Sequence, residues 1–181
     1  MSSLPPVKRS VIAALCLSLC IVLPMAFHAV PNAGAVFAPM HVPVLLCGLL
    51  CGWPYGLFCG AVGPLLSSVL TGMPPAAILP AMMVECAVYG FLSGLLIGFV
   101  RTGRLYTDLI VSLGIAMLAG RIAAGLARAW FFSAGGYSFS VWAAAYFVTG
   151  LPGLVLQFLL IPALVTALVR ARLIPRRYEH E

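Results

Sequence analysis

Three ionisable residues interrupt otherwise apolar runs of this sequence: Glu85 within 77–100, and Arg121 and Arg128 within 108–131. A charged side chain at the centre of a bilayer costs about 2.5–3.5 kcal/mol even on insertion scales, so such residues usually mark function. The two kinds offer opposite chemistry. A carboxylate accepts hydrogen bonds from a hydroxyl, amide or amine, whereas a guanidinium grips a carboxylate or phosphate. Gln157, within 141–169, adds a neutral amide. Two readings of Glu85 and Arg121 stand: they neutralise each other and hold helices together, or they contact a ligand or support groups that do. Arg128 lies seven residues beyond Arg121, about 10 Å along roughly the same helix face. It either snorkels to the outer headgroups or guides an anionic group inward.

Helical rise sets the expected level of these groups. Glu85 is 16 positions from Arg101, Arg121 is 17 from Arg104 and Gln157 is 13 from Arg170, or about 24, 25 and 20 Å from those basic residues. The three are expected at a similar depth, around a solute-sized hollow roofed by the connecting segments. Those segments carry Asn32, Phe37, Met40 and His41, then Met73, then Tyr137 and Phe139. Aromatic and Met side chains suit a pocket for a small, partly apolar molecule. Each also suits interfacial anchoring, and His41, between Pro39 and Pro43, suits a helix start or a surface position.

Catalytic and cofactor patterns are absent from the sequence. It has no Gly-x-Ser-x-Gly, no His-Glu-x-x-His and no phosphate loop ending in Gly-Lys-Ser/Thr. Cys47 and Cys51 have helical i, i+4 spacing, but no His, Asp or Glu in the same run completes a metal site. The six Cys read as small buried hydrophobes. A protein without enzymatic activity, cofactor or metal is expected. Active movement of a solute would then draw its energy from a partner or an ion gradient.

Composition says where these groups must work. Of 181 residues, 63% are hydrophobic and 8% charged, with a mean hydropathy of +1.13. A soluble domain carries about a quarter charged residues, and disorder requires low hydrophobicity. Both are excluded. A membrane-spanning helix needs about 20 residues, so the chain accommodates one all-α integral-membrane domain over 1–181, a bundle of six transmembrane helices. The expected spans are 8–25, 41–52, 55–71, 77–100, 108–131 and 141–169.

Eight of the ten basic residues cluster at Lys8–Arg9, Arg101–Arg104 and Arg170–Arg177. The positive-inside rule then puts both termini in the cytoplasm of a multi-pass cell-membrane protein. The net charge of +6 is a topology signal, and no basic face of a folded domain is available for nucleic acid. The first apolar run is read as a retained helix rather than a cleaved signal peptide. Gly56-x-x-x-Gly60 is expected to permit close helix contact, Asp108 to complement a helix dipole, and Pro152 and Pro162 to kink the last span. No internal repeat is visible, which weighs against an inverted-repeat carrier.

Four segments resemble one family in order along the chain. They are Phe37 to Gly56 (FAPMHVPVLLCGLLCGWPYG), Gly63 to Pro75 (GPLLSSVLTGMPP), Glu85 to Leu96 (ECAVYGFLSGLL) and Gly120 to Gly125 (GRIAAG). They are similar to the first-loop and second-helix, third-helix, fourth-helix and fifth-helix regions of the substrate-binding S components of energy-coupling factor (ECF) vitamin transporters. The resemblance implies a subunit that binds a vitamin-like molecule in its outer half. It also implies association with a transmembrane scaffold subunit and two cytosolic ATPases, followed by toppling that opens the pocket inward. A small-residue stripe of the first helix contacts the scaffold in that family, usually as Ala-x-x-x-Ala; the matching positions here are Ala14 and Ser18.

The expected substrate-binding residues are Asn32, His41, Glu85, Arg121, Arg128, Tyr137 and Gln157. An anionic group on the ligand is expected from the two arginines, and pantothenate is one compound that fits. The alternative is an autonomous ion-coupled carrier in which Glu85 titrates.

Overall fold

The computed structural model describes residues 4–26, 36–131, 139–175 and 177–178. Seven α-helices and one π-helical turn occur among them: α1 Pro6–Ala26, α2 His41–Cys51, α3 Trp53–Thr71, α4 Leu79–Phe99, α5 Leu105–Phe131, α6 Phe139–Ala143, the π turn Ala144–Thr149, and α7 Leu151–Arg170. No strand is present among the described residues. Five helices (α1, α3, α4, α5 and α7) are long and apolar enough to cross a membrane. Their outer faces carry Val11, Leu15, Phe58, Val69, Leu118, Leu126 and Leu159, all exposed, as lipid-facing surfaces require.

The exception is α2. Its 11 residues rise only about 16 Å, yet all but one of them are buried. It is the central strut, with α1, α3 and α4 packed around it. At its end the chain reverses through one residue, Gly52, whose φ of 95° suits glycine and strains any residue with a Cβ. Pro54 then sits in the first turn of α3, where its missing N–H costs nothing.

The α3–α4 crossing is backbone against backbone. A methyl on Gly56 would collide with the Gly90 carbonyl, and one on Gly60 with the Cys86 carbonyl. The glycine pair expected to allow close contact does so, and α4 supplies the reciprocal Gly90. Such contact maximises dispersion where the solvent is lipid and no hydrophobic force drives helices together.

The stretch 141–169, expected as one kinked span, is broken at Gly150 into the α6 and π-turn segment and α7. Pro152 lies in the first turn of α7. There it starts a helix rather than bending one. Pro162 lies inside α7.

At the α5 end of the bundle, Asp108 does more than complement a dipole. It is fully buried. Its Oδ1 accepts the Thr102 N–H and hydroxyl, each at 2.8 Å. Its Oδ2 accepts the Tyr178 hydroxyl at 2.5 Å and faces Arg177 Nε at 3.0 Å. Arg177 also donates to the carbonyls of Ile97 and Val100. The chain beyond α7 thereby straps the ends of α4 and α5 together.

Candidate functional site

Glu85 stands in the second turn of α4, and Tyr89, one turn later, shares its face. The Tyr89 hydroxyl donates to Glu85 Oε1 at 3.0 Å. Both side chains are buried, Tyr89 completely. Room for the phenol comes from α5, where a methyl on Gly120 would collide with the Tyr89 ring.

His41 opens α2 and completes this group. Its Nε2 lies 3.7 Å from Glu85 Oε1, and its ring is 5.1 Å from that of Tyr89 at a 58° tilt. Its Nδ1 is 3.1 Å from the Ala38 carbonyl oxygen. A carbonyl only accepts, so Nδ1 carries the hydrogen. The same oxygen accepts the His41 backbone N–H at 3.0 Å and Gln157 Nε2–H at 3.5 Å. Ala38 has a φ of 44°, a left-handed conformation that a residue with a Cβ adopts only against a steric cost. Strain of this kind persists where surrounding contacts over-determine it, and it clusters at ligand sites.

Gln157 reaches Ala38 because α7 comes close at Gly153, where a methyl would meet the Val36 and Phe37 carbonyls. Gln157, Ala38, His41, Glu85 and Tyr89 therefore form one continuous polar chain. It runs from α7 through the turn before α2 and into α4. Two of its buried atoms, His41 Nε2 and Gln157 Oε1, have no hydrogen-bond partner among the described residues. A buried polar atom left unpaired costs about 1–3 kcal/mol; the nearest charged group to His41 Nε2 is Glu85 Oε1, at 3.7 Å.

Arg121 flanks this chain on α5, next to Gly120. It is 5% exposed, and its guanidinium carbon is 5.8 Å from the Phe147 ring centroid. Trp142 Nε1–H donates to the Arg121 carbonyl at 3.2 Å, and Gly125 leaves the space that the indole occupies. The α6 segment is thus fastened to α5 beside the guanidinium.

Of the residues expected in the site, His41 and Glu85 face each other, Gln157 joins them through the Ala38 carbonyl, and Arg121 flanks the group. Arg128 is half-buried further along α5. Asn32 and Tyr137 lie outside the described residues, as does the side chain of Phe139. Met40 is buried, and Phe37 and Met73 are half-buried. Tyr89, Ala38 and Trp142 were not anticipated. Only Tyr89 had a signal available, its i+4 spacing from Glu85.

Ala14 and Ser18 are exposed on α1, and the Ser18 hydroxyl turns back to the Ala14 carbonyl at 3.0 Å. All six Cys are buried and reduced; Cys20 and Cys59 approach to 4.0 Å between sulfurs. No cluster of three or more His, Cys, Asp or Glu with metal-holding placement occurs among the described residues.

The family model described as "ECF transporter, substrate-specific component" matches residues 8–174. No curated protein and no solved structure matches the chain.

Proposed function

This chain belongs to the substrate-specific components of ECF transporters, and from that premise we propose that it binds a vitamin-like small molecule at the His41–Glu85–Gln157 network. As a member of that family it is a multi-pass membrane transport subunit and not an enzyme. The observation that carries the site assignment is the convergence of three buried polar side chains from α2, α4 and α7, two of them with an unpaired atom. A network serving only to hold helices together would close its own hydrogen bonds.

In this reading Arg121 pairs with an acidic group of the ligand, Arg128 attracts that group on its way in, and Asn32 and Tyr137 cover the site. Pantothenate has the required charge. With α2 counted as a short crossing, the chain makes six crossings, and the Lys/Arg clusters put both termini in the cytoplasm. Ala14 and Ser18 present a small-residue surface to the scaffold subunit, and two cytosolic ATPases supply the energy.

The test is uptake paired with ligand identification. Mass spectrometry of small molecules co-purified with the protein names the ligand. Accumulation of that compound by cells should require the scaffold and both ATPases. Full accumulation without them, abolished by a protonophore, would overturn the ECF mechanism for this chain.

A further inference from the structure

We propose that the pole formed by Glu85, His41 and Gln157 receives a primary amino or amidino group, so that the ligand meets this end of the site as a hydrogen-bond donor and not as an anion. The inference rests on the reading of this network as the ligand site, and it narrows that reading.

The argument is a count of hydrogens and lone pairs. The donors of the network are already engaged: His41 Nδ1–H and a Gln157 N–H on the Ala38 carbonyl, and the Tyr89 O–H on Glu85. One Gln157 N–H remains. What stands open is acceptor: Gln157 Oε1 and the remaining lone pairs of the Glu85 carboxylate. A flip of the Gln157 amide would set its oxygen against the Ala38 carbonyl oxygen, so the assignment of Oε1 as the open atom follows from the network itself. His41 Nε2, 3.7 Å from Glu85 Oε1, holds that oxygen from one side and leaves the rest of the carboxylate to the ligand.

A carboxylate or phosphate at this place would add acceptors to acceptors and set its charge beside that of Glu85. A hydroxyl brings a single hydrogen and could satisfy only one of the open atoms. An amino, ammonium or amidino group brings two or more and meets several at once. The tilted rings of His41 and Tyr89 supply an apolar flank that suits the body of such a molecule.

The test uses the full chain in nanodiscs, titrated with matched probe pairs: thiamine against oxythiamine, pyridoxamine against pyridoxine, and pantothenate as an acid without an amino group. Compounds co-purified with the untreated protein are identified alongside. The expected result is at least tenfold tighter binding of an amino member than of its oxo or hydroxy partner. That preference should be lost in both Glu85→Gln and Gln157→Leu. An amino-bearing compound co-purifying with a chain that ignores the probes would also support the proposal.

Equal affinity within each pair overturns it, as does pantothenate binding that is unaltered in Glu85→Gln. A co-purified ligand without an N–H donor overturns the donor inference and leaves the transport reading intact. Absence of any bound probe together with absence of any co-purified molecule would remove the ligand site itself, and this inference with it.

Discussion

His41 Nε2 stands 3.7 Å from Glu85 Oε1, so the first turn of α2 and the second turn of α4 meet through two buried titratable side chains. Neither group is held by that contact alone. The imidazole is fixed from behind by the Ala38 carbonyl and the carboxylate by the Tyr89 hydroxyl. The two face each other from rigid supports, the condition under which a binding site keeps its geometry before the ligand arrives.

Replacing His41 with Phe keeps the ring against Tyr89 and removes both nitrogens. We expect His41→Phe to bind the co-purified compound at least tenfold more weakly, about 1.4 kcal/mol, while the protein still inserts in the membrane. Titration of the compound into purified wild type and variant checks this. Unchanged affinity would take His41 out of the site.

The α3–α4 crossing makes a paired prediction about stability. A methyl at Gly60 would strike the Cys86 carbonyl, whereas one at Gly98 would meet nothing within 4 Å. Gly60→Ala should destabilise the bundle by about 1–3 kcal/mol, because backbone must move aside. Gly98→Ala should be neutral or stabilising by up to about 1 kcal/mol, since Ala orders the helix at less entropic cost. Thermal unfolding in one detergent decides the matter, and equal midpoints for the two variants would contradict the close crossing.

Much of this arrangement was legible in the residues. Helical rise alone put Glu85 and Gln157 at comparable depth, and they meet one network. Gly56-x-x-x-Gly60 announced a close crossing because glycine spacing is a local property of one helix. What escaped depended on partners distant in the chain. The positive φ of Ala38 carries no sequence signature, since alanine is not a residue that favours that conformation. Arg177 read as one more charge in a basic tail, but its guanidinium returns to Asp108. Pro152 signalled an interruption without saying whether the helix bends or restarts, and it proves to lie in the first turn of a new helix.

The strap gives a third prediction. Asp108 and Arg177 side chains are 0% and 7% exposed, and removing one partner of a buried pair leaves the other charge uncompensated, at a cost of about 3–5 kcal/mol. Arg177→Ala and Asp108→Asn should each lower the unfolding midpoint markedly. The double variant should cost much less than their sum, as expected for groups in one network. Additive losses would show that the two act separately.

Ala14 and Ser18 lie exposed on α1, away from the buried face formed by Ala13, Cys16 and Cys20. A larger side chain at position 14 therefore has no internal neighbour to displace, but it would hold a partner helix away at a surface whose small residues permit close approach. Ala14→Leu should leave ligand affinity within about twofold of wild type, a difference of about 0.4 kcal/mol, and leave the unfolding midpoint unchanged. Uptake in cells that contain the scaffold and ATPases should fall at least tenfold, and co-purification of the scaffold with the variant should be lost. Normal uptake by Ala14→Leu would move the partner contact elsewhere on the bundle, while weakened ligand binding would mean that α1 communicates with the His41–Glu85 site through its packing on α2.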